Sequence, residues 1–282
     1  LLHLATISFL SIKRAIFLLY LPYLFNNNNV YNAEIFNSRM RLTLENPKIF
    51  SDIVTIISEL VTEVRIKINK EGIHLSAVDP ANVAMVHFKI PSSLFSDLEM
   101  EKEEVDLGIN LNNLKAVLRR CKPGSALTLE KKDNLLNIGI RDRIKRDFSL
   151  ALIEIDSEDK SMPQWEFNSV VHINSEALVE VIEDCAVVSD ACTFMAEPTK
   201  FIVEAHGLNS ARAEFSSDEA EIHSGNSTAR FSLEYLNKFV KGAKISSRAT
   251  LSFSSNHPMR IDFPTGGVIL SFVLAPRVEQ DD

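Results

Sequence analysis

The segment LNNLKAVLRRCKPGSALTLE, residues 111–130, has a counterpart in LEYLNKFVKGAKISSRATLS, residues 233–252. Laid one over the other without gaps, Leu114 falls on Leu236, Leu118 on Val240, and Leu127-Thr128-Leu129 on Ala249-Thr250-Leu251. In each copy a helical stripe (Leu111, Leu114, Val117/Leu118 and Cys121; Leu236 and Phe239/Val240) gives way to a strand-like run. Pro123-Gly124 ends the first of these helices. One structural unit used twice accounts for the length of the chain.

Outward from this pair the same order of elements recurs. A preceding helix is predicted at Pro47–Val61, with Ile49, Ile53, Ile56/Ile57 and Leu60 inward and Pro47 at the first helical position. Its partner is Ser175–Val188, with Leu178, Val181/Ile182, Cys185 and Val188 inward. Strand-like runs in the first half are Arg41–Leu44, Glu63–Asn69, His74–Val78, Val83–Ile90, Ala126–Lys131, Leu135–Ile140 and Arg146–Ile153. Those in the second are Ala191–Ala196, Lys200–Ala205, Arg212–Ser216, Glu219–His223, Ala249–Ser254, Met259–Phe263 and Val268–Ala275. Gly266-Gly267 reads as a hairpin turn. The predicted class is α+β, with two duplicated domains at 40–153 and 167–282. Between them the acidic, proline-bearing stretch 154–166 has no periodicity and reads as a linker.

Residues 1–39 have no counterpart in the repeat. Their apolar run, Ala15–Phe25, is too short to span a bilayer, no small-residue cleavage site follows it, and four asparagines come next. The expectation is an extraneous extension before Met40, removable without loss of stability or oligomeric mass. The remainder carries 27 basic and 37 acidic residues, a balance that by itself speaks against nucleic acid as a partner. Cys121, Cys185 and Cys192 exclude a disulfide framework and fit a reducing cytosol, and the Cys185/Cys192 spacing is not that of a zinc finger. There is no Gly-rich phosphate loop, HExxH helix or nucleophile elbow, and the seven histidines are scattered. Acid pairs such as Glu103-Glu104 and Glu183-Asp184 read as solvated faces. No catalytic residue, metal site or cofactor is therefore assigned.

The distribution of charge points the other way from its sum. The helix at 111–122 carries Lys115, Arg119, Arg120 and Lys122 and no acid, with Lys115 and Arg119 on one face. Its counterpart carries Lys238, Lys241 and Lys244, with Arg248 just beyond. A basic stripe at matched positions of a duplicated unit points to phosphate. The other two helices do not join in: one shows Ser51, Asp52, Thr55 and Ser58, the other Glu176, Glu180, Glu183 and Asp184. Any DNA-facing surface would be a patchwork of weak phosphate contacts that reads no bases.

Three stretches, GIHLSAVDPANVAMVHFKIPSSLF (72–95), VDLGINLNNLKAVLRR (105–120) and LAPRVE (274–279), resemble the archaeal sliding clamp family of proliferating cell nuclear antigen. The resemblance runs from Met40 to Asp282. It implies the DNA clamp fold, in which three subunits close head-to-tail into a ring, helices lining the bore and sheets outside. It places the subunit interface on Arg146–Ile153 and Leu208–Ser216, with Arg146, Phe148, Arg212 and Glu214 as its residues. It places a partner site under the linker at Val78, Asn82, Val83, Met162, Pro163, Pro258, Val273, Ala275 and Pro276, rimmed by the linker and by Glu279, Asp281 and Asp282. Implied partners are duplex DNA bound without sequence preference, further copies of the chain, and DNA polymerase, clamp loader, flap endonuclease and DNA ligase. The enzymes would dock through a short peptide with a glutamine and two aromatics. The expected function is a non-enzymatic processivity factor, cytoplasmic and nucleoid-associated, or nuclear in a eukaryote. Glu180 and Glu183 sit where clamps often carry basic or neutral residues, which keeps a hetero-trimeric or checkpoint-type subunit as the neighbouring alternative. A membrane-anchored interaction protein using residues 1–39 is the alternative of a different class.

Overall fold

The computed structural model describes residues 39–155 and 160–277. The extension expected at 1–39 therefore falls outside the described residues except for Arg39, as do Glu279, Asp281 and Asp282. The first half runs β1 (Met40–Leu44), α1 (Lys48–Ile57), β2 (Glu63–Asn69), β3 (Gly72–Val78), β4 (Ala84–Pro91), β5 (Asp97–Met100), β6 (Glu104–Asn110), α2 (Leu111–Leu118), β7 (Ala126–Lys132), β8 (Leu135–Arg141) and β9 (Lys145–Ala151). The second runs β10 (Ser169–Asn174), α3 (Ser175–Val188), β11 (Ala191–Glu197), β12 (Lys200–His206), β13 (Ser210–Ser216), β14 (Ala220–Ser224), β15 (Ser227–Ser232), α4 (Leu233–Phe239), β16 (Arg248–Phe253), β17 (Met259–Asp262) and β18 (Ile269–Leu274). Element for element the two halves are the same.

The sheets repeat as well. In the first half β5-β1-β7-β8-β9 form one sheet, and the second-half equivalent is β14-β10-β16-β17-β18. Likewise β6-β2-β3-β4 corresponds to β15-β11-β12-β13. The halves join where β18 pairs antiparallel with β4, which fuses two of these four sheets into one of nine strands. Alternate residues of each central strand are buried (Val64, Ile66 and Ile68 on β2; Val171 and Ile173 on β10), so one face of every sheet looks into the core. The helices cover that face and pack on one another: α1 on α2, α3 on α4, and α1 against the 3₁₀ turn Val240–Lys244 that follows α4.

Three of the four helices follow a strand without a loop, and in two of them the asparagine that closes the strand caps the helix. Asn110 Oδ1 accepts from the backbone N–H of Asn112 and Asn113, and Asn174 Oδ1 from Glu176 and Ala177. Gly242 lets the turn after α4 lie on the sheet; a Cβ there would stand 2.4 Å from the Phe263 ring.

Several boundaries differ from the sequence reading. The first helix spans Lys48–Ile57, with Pro47 as its N-cap; the chain turns at Ser58–Val61, yet Leu60 and Val61 stay buried and so extend the apolar stripe. The helices begun at Leu111 and Leu233 end at Leu118 and Phe239. Four strands are additional to the prediction: β5, β6, β10 and β15. β6 does alternate Val105, Leu107 and Ile109 inward, but glycine and polar residues fill its other face. The Gly266-Gly267 turn is as predicted, both residues with positive φ (54° and 82°) between the bridged Thr265 and Val268.

Candidate functional site

The helix layer carries the basic residues read from the sequence, but several are engaged within the chain. Lys115 Nζ donates to Ser58 Oγ at 2.9 Å, Lys238 pairs with Glu234 at 2.9 Å and lies over the Tyr235 ring, and Lys241 pairs with Glu59 of the first half. Arg119, Arg120, Lys122 and Lys244 lie at the ends of their helices, and all four are exposed. Arg248 is separated from them. It opens β16 on the face opposite Ala249 and Leu251, away from the helices, and binds Glu221 at 2.6 Å. Alternation along the strand decides its side, and sequence proximity to the stripe misplaces it. On α3, Glu176, Glu183 and Asp184 are exposed, as is Glu180.

β9 and β13 are each seven residues long and each lies at the edge of its sheet. They are the repeat equivalents of β18 and β4, the two strands that pair inside the chain. The ladders fix the correspondence residue by residue. Leu129–Ile138–Phe148 is the same cross-strand row as Leu251–Ile261–Phe272. Phe272 is fully buried, stacks on Phe239 at 4.5 Å, and faces Val86 across the internal junction. Phe148 reaches the core but stays half-exposed, because β9 is paired only on its β8 side. Arg146 turns inward: it pairs with Asp142 and donates to the Arg120 carbonyl at 3.0 Å. The charges on the outward face of this edge are instead Lys145 and Asp147; Arg212 and Glu214 occupy one face of β13, where Arg212 also holds Glu204.

A third feature lies on the outer face of the nine-stranded sheet. A cavity of about 580 Å³ is lined by Val78, Asn82 and Met162 together with Arg65, Ser76 and His87, among others. Beside it Val78, Met85, Val273 and Arg260 stand in one cross-strand row on β3, β4, β18 and β17. The Ala275 N–H donates to the Val83 carbonyl at 2.9 Å, which ties the tail to the 79–83 turn. Val83, Pro163, Pro258, Ala275 and Pro276 are half-buried and Val273 is buried, outside the lining of the cavity itself. The linker enters pinned: the Ile153 N–H donates to the Gly108 carbonyl and Arg65 to the Ile155 carbonyl. A Cβ on Gly108 would lie 1.9 Å from the Ile153 oxygen, so the crossing requires glycine. Burial pushes the imidazoles of His74 and His87 below their usual range, which favours their neutral form beside the charged Glu63, Arg65 and Lys67 of the same wall.

Comparison with known proteins identifies the family of the chain. Family models described as the N-terminal and C-terminal domains of proliferating cell nuclear antigen match residues 39–160 and 161–278. The chain belongs to the proliferating cell nuclear antigen family. It is 32% identical over 248 residues to the DNA polymerase sliding clamp of Thermococcus onnurineus, spanning 84% of this chain and 98% of that one. It is 31% identical over 247 residues to that of Nanoarchaeum equitans, spanning 84% and 99%. Among solved structures, proliferating cell nuclear antigen from Entamoeba histolytica superimposes with a TM-score of 0.80 at 21% identity, covering 85% of this chain and 99% of that one. The same antigen from Thermococcus kodakaraensis gives 0.79, also at 21% identity, covering 84% and 100%. The fold is the two-domain clamp fold of this family. Among the described residues no helix is long and apolar enough to cross a membrane.

Within this clamp fold, Asp79 is the residue the sequence reading passed over. It is buried, and its carboxylate accepts from the backbone N–H of Ala81, Val83 and Ala84 and from the Tyr235 hydroxyl at 2.6 Å. It thereby shapes the turn that carries Asn82 and Val83 and ties it to α4. Only the asparagine-like turn chemistry of Asp79-Pro80-Ala81-Asn82, with Asn82 at φ 55°, hinted at it. Burial pushes the Asp79 carboxyl up, but the Tyr235 hydroxyl and the three N–H donors outweigh this and hold it below the usual carboxylate range. The same contact, reinforced by burial, pushes the Tyr235 phenol up to about 12. A depressed carboxyl stabilises the fold above its unfolded pKa and loses that contribution as pH falls through its folded value. Asp79→Ala should therefore cost about 3 kcal/mol at pH 7 in a urea titration. The gap between parent and variant should narrow as the pH is taken down through the carboxylate range. A gap that is small at pH 7, or constant with pH, would contradict this account.

Proposed function

We infer that the chain is a DNA polymerase sliding clamp, a processivity factor whose subunits close into a ring around duplex DNA. The observation that supports this most is the pair of edges left over by the duplication. Each half offers one edge of the β18 kind and one of the β4 kind; β18 and β4 satisfy each other inside the chain, while β9 and β13 remain open. Different edges pair head-to-tail, and such an interface forms a ring when its rotation closes. Pairing also covers two strand edges that would otherwise invite uncontrolled association. By analogy with the family the proposed ring is a trimer, with the helix layer lining the bore.

Retention on DNA is then topological. A closed ring does not leave sideways even if every phosphate contact is weak, and weak screened contacts let it slide. The acidic remainder of the surface opposes DNA binding elsewhere. The relatives are named for DNA polymerase, the first partner proposed; clamp loader, flap endonuclease and DNA ligase follow from the family, each reaching the cavity beneath the linker by a short peptide.

The bore assignment is tested on the cations at the helix ends. Changing Arg119, Arg120, Lys122 and Lys244 together to alanine should lower polymerase stimulation by the loaded clamp while the mass in solution stays that of the parent. The slope of the logarithmic salt dependence should fall by about one for every phosphate no longer neutralised. Normal stimulation with an unchanged salt slope would remove these residues from the DNA path.

A further inference from the structure

On the sheet face turned away from the helices, β10 and β14 hold a cluster that the clamp function does not use. His172 and Glu221 are direct partners in the β10–β14 register, and His223 follows Glu221 by two residues, so the three side chains leave the same face. One nitrogen from each imidazole and one carboxylate oxygen lie within 4.8 Å of one another. His223 Nε2 is 3.1 Å from Glu221 Oε1, and the two imidazoles meet edge to face with centroids 6.2 Å apart. Two of the three groups are also held from behind. His172 Nδ1 lies 2.8 Å from Thr250 Oγ1, which leaves Nε2 to face the cluster. Glu221 Oε2 takes Arg248 Nη2 at 2.6 Å, which leaves Oε1 on the histidine side. Hydrogen bonds of this kind orient the ligands in metal centres.

We propose that His172, Glu221 and His223 form a surface site for a late first-row divalent cation, best matched by Zn²⁺. Two imidazoles and one carboxylate are a borderline-soft donor set that suits zinc and does not suit Mg²⁺ or Ca²⁺, which take oxygen. Bonds of roughly 2.0–2.2 Å to a tetrahedral ion set ligand atoms about 3.3–3.6 Å apart, a spacing that His223 Nε2 and Glu221 Oε1 already nearly match, so only the wider separations in the cluster have to adjust. Rotation of the exposed Glu221 and His223 side chains achieves this without moving the strands. The Arg248 guanidinium beside the carboxylate opposes a cation, so binding is of moderate strength. β14 is an edge strand, and the fourth coordination position opens to solvent on the outside of the ring. The scattered histidines of the sequence conceal this site, because only the antiparallel register of β10 on β14 brings His172 beside Glu221.

Calorimetric titration of ZnCl₂ into the untagged full chain, stripped with EDTA and exchanged into a non-chelating buffer, should show one ion per chain, bound with a dissociation constant on the order of micromolar. MgCl₂ should give no binding heat. His172→Ala, His223→Ala and Glu221→Gln should each weaken zinc by about tenfold or more. His74→Ala, which removes a histidine from the cavity lined by Val78 and Met162 and not from this cluster, should leave zinc binding unchanged. Melting temperatures in EDTA should match across these variants, and the rise with zinc should be confined to the parent and His74→Ala. Absence of zinc binding by the parent, or parental affinity in the His172→Ala/His223→Ala double variant, overturns the proposal.

Discussion

Exchanging the two outward charges of one open edge, Lys145→Glu with Asp147→Arg, should take the clamp apart into single subunits that remain folded. The prediction comes from the internal junction. Phe272 faces Val86 there and Ile269 faces Lys89. Carrying both ladders onto their repeat equivalents sets Phe148 of one subunit opposite Ala211 of the next. In that register Asp147 faces Arg212 and Lys145 faces Glu214. Two complementary pairs thus form across the outward face, while Phe148 and Ala211 close the inward one. Each pair alone contributes little, about 0.2–1 kcal/mol, because it is exposed. Reversal is costlier, since it replaces both attractions with like charges held directly opposite each other along a hydrogen-bonded ladder. A swing of about 3 kcal/mol per interface weakens association some hundredfold. Sedimentation at micromolar concentration should then report about one-third of the parental mass, and polymerase stimulation should be lost with it.

The same register supplies the rescue. Adding Arg212→Asp and Glu214→Lys to the swapped chain restores opposite charges at both positions and should restore the parental mass and stimulation. A parent that sediments as a single chain, a swapped variant that keeps the ring, or a fourfold variant that folds yet stays monomeric would each refute the register. Arg146, picked out by its place in the sequence, cannot act in this way: Asp142 and the Arg120 carbonyl already hold it on the inward side.

That contrast shows where the sequence was legible. Repetition made the duplicated unit readable, since residues 111–130 and 233–252 share helical spacing, strand spacing and the order between them. The identity of the two open edges followed from the resemblance, and Phe148 stands on one of them. What one-dimensional spacing could not supply was the facing of side chains, which depends on strand parity and register. Arg146 and Lys145 are adjacent yet point to opposite faces. Arg248 follows the basic helix in sequence and leaves the sheet on the other side. β10 and β15 went unread because serine, threonine and asparagine dilute their apolar alternation. Asp79 showed only as part of a turn, for a related reason: its partner Tyr235 lies in the other half of the chain, and a buried carboxylate shows no periodicity.

A peptide with a glutamine, an aliphatic residue and two adjacent aromatics should bind the parent clamp with micromolar affinity, and truncating Val78 and Met162 together to alanine should weaken it about ten- to a hundredfold. Both side chains line the cavity beside the linker, Val78 from the end of β3 and Met162 from the linker itself. Met162 interrupts an acidic segment that has no core of its own, and its flexible thioether suits a wall that adapts to several partners. The row Val78–Met85–Val273 extends the apolar floor toward the tail, which Asp79 and the Ala275–Val83 hydrogen bond hold in place. Removing two walls of one pocket costs about 1–3 kcal/mol of peptide affinity, the range that corresponds to this loss. Neither residue supports the ring edges or the helix layer, so the variant should keep the parental mass and its salt response on DNA while losing polymerase stimulation at limiting polymerase. Fluorescence anisotropy with a labelled peptide separates the outcomes. Equal affinity for parent and variant places the aromatics elsewhere on the sheet, and lack of binding to the parent removes the docking role of the cavity altogether.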